Sequence, residues 1–152
     1  MRKTWTYRTA GLVMALTATL GFAQPASAGD EIPFKGYADA VIAAVLPVGD
    51  DLHLTVVATG QATHLGNYTR TETVVLHSDG TFEAEIVFIA ANGDELYADA
   101  VGGFISPTTA VGVATFTGGT GRFANASGGY NFEAVTPDGF HFAIIFEGTI
   151  AF

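Results

Sequence analysis

The chain has 152 residues, 49% of them hydrophobic and 12% aromatic, with no cysteine. All fifteen acidic residues lie beyond position 28, where only Lys35, Arg70 and Arg122 are basic. That excess of twelve negative charges repels phosphate backbones and anionic bilayers and argues against a nucleic-acid partner, while the missing cysteines exclude disulfides, thiol nucleophiles and thiolate metal sites.

At the amino terminus Arg2, Lys3 and Arg8 precede an apolar run from Ala10 to Ala23, too short to span a bilayer as a mature helix. Ala26, Ser27 and Ala28 then give the small-x-small pattern of signal cleavage. Residues 1–28 are therefore expected to be a cleaved secretory signal. Residues 29–152 are expected to form one secreted or periplasmic domain, with no membrane insertion after cleavage.

From there the pattern is β throughout. Ile32 to Leu46 alternates weakly and ends at Pro47, Gly49, Asp50 and Asp51. Leu52 to Ala62 sets Leu52, Leu54, Val56 and Ala58 against His53, Thr55, Val57 and Thr59. Tyr68 to His77 is rich in threonine and valine and closes on the turn signal Ser78-Asp79-Gly80. Thr81 to Ala90 sets Phe82, Ala84, Ile86 and Phe88 against Glu83 and Glu85, and Asn92-Gly93-Asp94 marks a second hairpin. Glu95 to Ile105, Thr109 to Thr117, Gly129 to Val135 and Phe140 to Phe152 follow, with Pro137-Asp138-Gly139 as the last turn. Eight runs of strand length on short turns predict an all-β chain. The expected fold is an eight-stranded antiparallel barrel, with a β-sandwich as the alternative.

Several side chains are candidates for chemistry. Tyr68, Arg70 and Glu72 share one face of the third run. Facing inward they would make a polar site in an apolar barrel, suited to acid–base work on a small hydrophobic substrate; facing outward they would be a solvated face or an intersubunit contact. His64, at a strand entrance, joins them as a catalytic candidate on the same inward condition, or it hydrogen-bonds turn backbone. In the last run Phe140, Phe142 and Phe146 share a parity and are expected to line the interior as ligand contacts. The opposite parity, with Ile145, is only half polar and is either covered by a second copy of the chain or an ordinary apolar surface. No histidine spacing supports a metal site, and none is expected.

Phe116 to Gly129 (FTGGTGRFANASGG) contains G-x-G-x-x-A after a strand. A dinucleotide turn needs a helix next, and Asn125, Ser127, Gly128 and Gly129 stop one within a turn, so no nucleotide cofactor is expected. Its glycines suit a tight fold-back, with Phe123 plugging a barrel mouth. Arg122 either clasps the loop through a carboxylate pair or faces a pocket and holds an anionic or carbonyl group.

The segment from Phe116 to Gly128 resembles the Gly-Gly-Thr-Gly-x-Phe/Tyr…Ala-x-Gly stretch of the allene oxide cyclase and dirigent group of barrels. Ala62 to Gly66, followed by a threonine-rich strand, is similar to small secreted bacterial proteins placed near that group. The resemblance implies an eight-stranded antiparallel barrel, often oligomeric, that holds a hydrophobic ligand inside. It also implies cyclisation or radical coupling without a metal or organic cofactor. Three functions are thus expected in turn: an exported barrel binding a small hydrophobic molecule, a cofactor-free isomerase or cyclase, or a non-enzymatic structural or envelope-interaction protein with a filled interior.

Overall fold

The computed structural model describes residues 29–152, and the expected signal segment lies outside the described residues. Eight antiparallel strands follow one another: β1 (Ile32–Val48), β2 (Asp51–Ala62), β3 (Gly66–Leu76), β4 (Thr81–Ile89), β5 (Glu95–Ser106), β6 (Thr109–Gly119), β7 (Ser127–Val135) and β8 (His141–Ala151). Each strand pairs with its neighbours in sequence, and β1 closes the ring on β8, with Phe34 opposite Gly148 and Ala40 opposite Phe142. The expected barrel is therefore the fold, and the β1–β8 ladder is what separates it from a sandwich. Along that ladder, closure leaves no strand edge free to pair with another chain.

Alternation dictates what the barrel encloses. Successive side chains on a strand point to opposite faces, and here the even-numbered ones point inward. Ala38 and Ala40, Val56 and Ala58, Ile86 and Phe88, and Ile144 and Phe146 are all buried, while the odd-numbered Glu83, Glu85 and Ile145 between such residues are exposed. Register shifts occur between Ile42 and Ala44 on β1, Tyr97 and Ala98 on β5, and Phe104 and Ser106 on β5. All lie toward the ends of the barrel, so the inward parity of its middle is undisturbed.

The two halves of the interior are filled differently. Toward the chain termini, Phe34, Phe88, Phe116, Tyr130 and Phe146 pack edge-on, tilted and, for Phe34–Phe146, stacked, with Phe34–Phe116 centroids 5.0 Å apart and Tyr130–Phe146 centroids 5.1 Å apart. Such pairs add about 0.5–1.5 kcal/mol each beyond area burial, so this half is a solid core. A short 3₁₀ turn, η1 (Gly121–Phe123), follows β6 and drops Phe123 into that end with no exposed surface. Toward the other end five of the inward positions are alanines: Ala40, Ala84, Ala100, Ala110 and Ala134. Their side chains are too short to meet across the barrel, and a space remains.

The four hairpin turns β1–β2, β3–β4, β5–β6 and β7–β8 surround that open end. Beyond Ile42, β1 has no β8 partner, and the β1–β2 hairpin projects with Val45, Leu46 and Val48 exposed. The tip of β5–β6 likewise exposes Ile105.

Candidate functional site

The space under the alanines is a cavity of about 130 Å³. Leu54, Val56, Val74, Ile86 and Ile144 form its walls beside the alanines, and Phe82, Phe104, Phe132 and Phe142 ring its mouth. The mouth rings stand where they do because of glycines. Gly102 on β5 and Gly112 on β6 face each other in register, and a Cβ on either would strike the ring of Phe82 or Phe132. Close ring-over-backbone packing at a bend requires glycine there.

Two charged residues line this cavity, Arg70 and Glu72. Both come from the middle of β3, facing inward, with residue exposures of 3% and 7%. Arg70 sits between Ala58 on β2 and Phe88 on β4, and the short Ala58 leaves room for the guanidinium. Glu72 sits between Val56 and Ile86. Arg70 Nε lies 2.8 Å from Glu72 Oε1, within ion-pair range, but the N–H is not directed at that oxygen and neither atom makes an aligned hydrogen bond. Arg70 Nη1 has no hydrogen-bond partner either. The guanidinium carbon stands 5.1 Å from the centroid of the Phe88 ring, a cation–π contact on the floor of the cavity.

The electrostatics keep Arg70 charged and its aromatic neighbours neutral. Burial alone would lower the pKa of Arg70, but Glu72, Tyr130 and Tyr68 outweigh it, and the net direction is upward. Burial pushes the Tyr68 phenol well above its ordinary range, against the pull of Arg70. Burial likewise pushes Tyr130 up to about 12, with Arg70 pulling the other way. Both phenols are therefore proton donors at neutral pH.

Of the four catalytic candidates, Arg70 and Glu72 meet in the cavity. Tyr68 also faces inward, but its hydroxyl donates to the Tyr37 carbonyl at 2.9 Å, and the ring packs into the aromatic half. His64 does not meet the inward condition. It occupies the β2–β3 turn at the opposite end with φ 67°, and its Nε2 lies 3.0 Å from the Pro33 carbonyl oxygen. The ring thus meets backbone, but that of strand β1 rather than of its own turn. Sequence reasoning missed Tyr130, whose hydroxyl is buried, without a hydrogen-bond partner, and close enough to feel both charges of the pair. Its alternation with Phe132 and Ala134 on β7 was the available signal.

The expected ligand contacts divide. Phe142 lines the mouth. Phe146 faces inward but belongs to the solid aromatic half. Phe140 is 55% exposed and is not a lining residue, contrary to its parity. It precedes β8, in a turn where the Asp138 carboxylate accepts hydrogen bonds from the backbone N–H groups of both His141 and Phe140. Those bonds, with the His141 ring, hold the Asp138 carboxyl far below its usual range. Strand alternation does not extend into such a turn.

Arg122 lies at the plugged end, away from the cavity. Its Nη2 donates to the His64 carbonyl, its Nε is 3.9 Å from Asp94 Oδ2, and its guanidinium carbon stands 4.7 Å from the Phe123 ring centroid. It clasps the loop, as one of its two expected roles, but mainly through a backbone carbonyl rather than a bidentate carboxylate. The G-x-G-x-x-A segment contains one 3₁₀ turn and leads into β7.

Among the described residues no three of His, Asp and Glu are grouped so as to hold a metal ion. Compared with known proteins, the chain matches no protein-family model and no curated protein.

Proposed function

We propose that the protein is an exported barrel that binds a small, largely apolar molecule in the alanine-lined end of its interior. The observation that carries this reading is the cavity itself: apolar walls over a floor of two buried charges that are incompletely hydrogen-bonded. Ligand sites are apolar hollows with a few convergent polar groups, and buried polar atoms without partners are uncommon in native cores. A scaffold with no ligand would gain stability by filling this end with larger side chains, as the other end is filled. The resemblance of Phe116 to Gly128 to ligand-holding barrels points the same way.

Native mass spectrometry of protein purified from its own host tests this reading. A retained small molecule is expected in the wild type and not in Ala100→Leu, whose side chain would occupy the cavity. Repeated absence from the wild type, with no uptake of small apolar probes, would remove the proposal.

The inward Arg70–Glu72 pair favours a second reading, a cofactor-free isomerase or cyclase acting on the same ligand. Glu72 would move a proton and Arg70 would stabilise a developing oxyanion. Under that reading Glu72→Gln retains the ligand but abolishes its conversion; conversion that survives the substitution discards the enzyme reading and leaves binding intact.

A further inference from the structure

Size, charge and hydrogen-bonding capacity together narrow the ligand class, an inference that rests on the cavity being a binding site. We propose that the cavity is selective for a compact, neutral molecule bearing one carbonyl-type acceptor oxygen, seated against Arg70. The volume of about 130 Å³ sets the size. An engineered apolar cavity of about 150 Å³ accommodates benzene, so the ligand body inside this one is a single small ring or its branched equivalent. Drug-sized molecules need roughly 300 Å³ or more, so neither one of these nor a long acyl chain would be enclosed.

Charge balance sets the second property. Arg70 and Glu72 neutralise each other at 2.8 Å, in a site where their side chains are 2% and 9% exposed. A ligand carboxylate would add a third, uncompensated charge beside Glu72. A ligand ammonium would compete with Arg70 for one carboxylate. An unbalanced buried charge is strongly unfavourable, so a neutral ligand is selected over either ion.

Hydrogen-bond capacity sets the third. A guanidinium carries five N–H donors and no acceptor. Arg70 Nε and Nη1 are buried without aligned partners, two donors on the cavity floor against one such acceptor, Glu72 Oε1. What the floor lacks is a further acceptor, which a carbonyl oxygen supplies without bringing charge. The alanine and aliphatic walls above offer nothing to a second polar group, so the rest of the molecule is hydrocarbon.

The test is a ligand series of one carbon frame, titrated by calorimetry or ligand-observed NMR into the chain from Gly29 to Phe152: cyclohexanone, methylcyclohexane and cyclohexanecarboxylate. Cyclohexanone is expected to bind at least about tenfold more tightly than methylcyclohexane, the scale of one well-placed hydrogen bond. The carboxylate is expected to bind more weakly than the ketone. In Arg70→Met/Glu72→Leu, which removes both charges together, the preference for the ketone should vanish while the hydrocarbon still binds. Should that variant not fold, the infrared carbonyl stretch of cyclohexanone bound to the wild type should still lie below its value in hydrocarbon solvent, and an unshifted stretch would overturn the acceptor inference. Equal binding of ketone and hydrocarbon by the wild type would overturn the acceptor inference while leaving the cavity a binding site. Tightest binding of the carboxylate would overturn neutrality. Binding of none of the three would count against the cavity as a site at all.

Discussion

Arg70 and Glu72 illustrate how a single strand position acquires its consequence from its neighbours. On an exposed strand such a pair would contribute little, because water screens it. Here closure of the barrel places it between Ala58 and Phe88 on one level and Val56 and Ile86 on the next. Removing water makes the charges interdependent: each is tolerable chiefly because the other is present. Arg70→Met alone leaves Glu72 as an uncompensated buried carboxylate, and Glu72→Leu alone leaves the guanidinium. Either single substitution is expected to lower unfolding free energy by about 3–5 kcal/mol in urea titrations. The double substitution replaces both charges with apolar volume and should cost much less than the sum of the singles, or nothing. Additive losses would mean that the two charges do not compensate one another in the folded barrel.

The loop from Gly119 to Ser127 shows the same logic for an element. Its glycines do not cradle a phosphate; they let the chain turn back over the barrel end. Gly121 takes φ 53°, and a Cβ there would run into the Asp94 carboxylate. Asp94 also accepts a hydrogen bond from the Arg122 backbone N–H at 3.3 Å, and Thr120 and Glu95 exchange two more at 2.8 Å. These bonds place Phe123 in the core. Phe123→Ala is therefore expected to cost about 3–5 kcal/mol, the usual range for a fully buried phenylalanine. Arg122→Ala, which removes a largely exposed clasp, should cost about 1 kcal/mol or less. Neither should change ligand affinity by more than about twofold, because the cavity lies at the other end; a large loss of affinity with unchanged stability in Arg122→Ala would return Arg122 to the binding site. The plug was legible in the sequence because a lone phenylalanine in a glycine-rich turn has few places to go but inward. The exposure of Phe140 was not legible, because parity holds only while the chain stays extended, and the Asp138 side chain ends that regularity one residue before β8. Nor could the facing of Arg70 and Glu72 be read from β3 alone, since one bulge reverses every side chain on a strand.

For the molecule as a whole, alternation and turn spacing suffice to specify eight strands, but where the interior is solid and where it is hollow depends on which strands face one another. The alanines that line the cavity come from β1, β4, β5, β6 and β7, and only closure of the ring brings them to one level. Closure also governs how the interior titrates. The Tyr130 phenol is packed in the aromatic half, so hydroxide reaches it mainly when the barrel unfolds. Tyr130 is held at about 12 by burial, against an ordinary phenol near 10. Below pH 10 the phenol is neutral in both states and the shift has no effect on stability. As pH rises from 10 toward 12, the unfolded chain loses the proton while the folded barrel keeps it, so unfolding is increasingly favoured. The loss attributable to this residue approaches about 2–3 kcal/mol by pH 12. Because the Tyr130 hydroxyl has no hydrogen-bond partner, Tyr130→Phe removes the titration without breaking a bond. The variant should match or exceed the wild type in stability at pH 8. It should then lose about 2 kcal/mol less than the wild type between pH 9 and pH 11.5, as judged by urea midpoints with circular dichroism. Tyrosinate absorbance from the interior should rise in the wild type together with loss of the β-sheet signal. Parallel alkaline losses in the two proteins, or interior tyrosinate appearing while the sheet signal persists, would show that this phenol reaches solvent without the barrel opening.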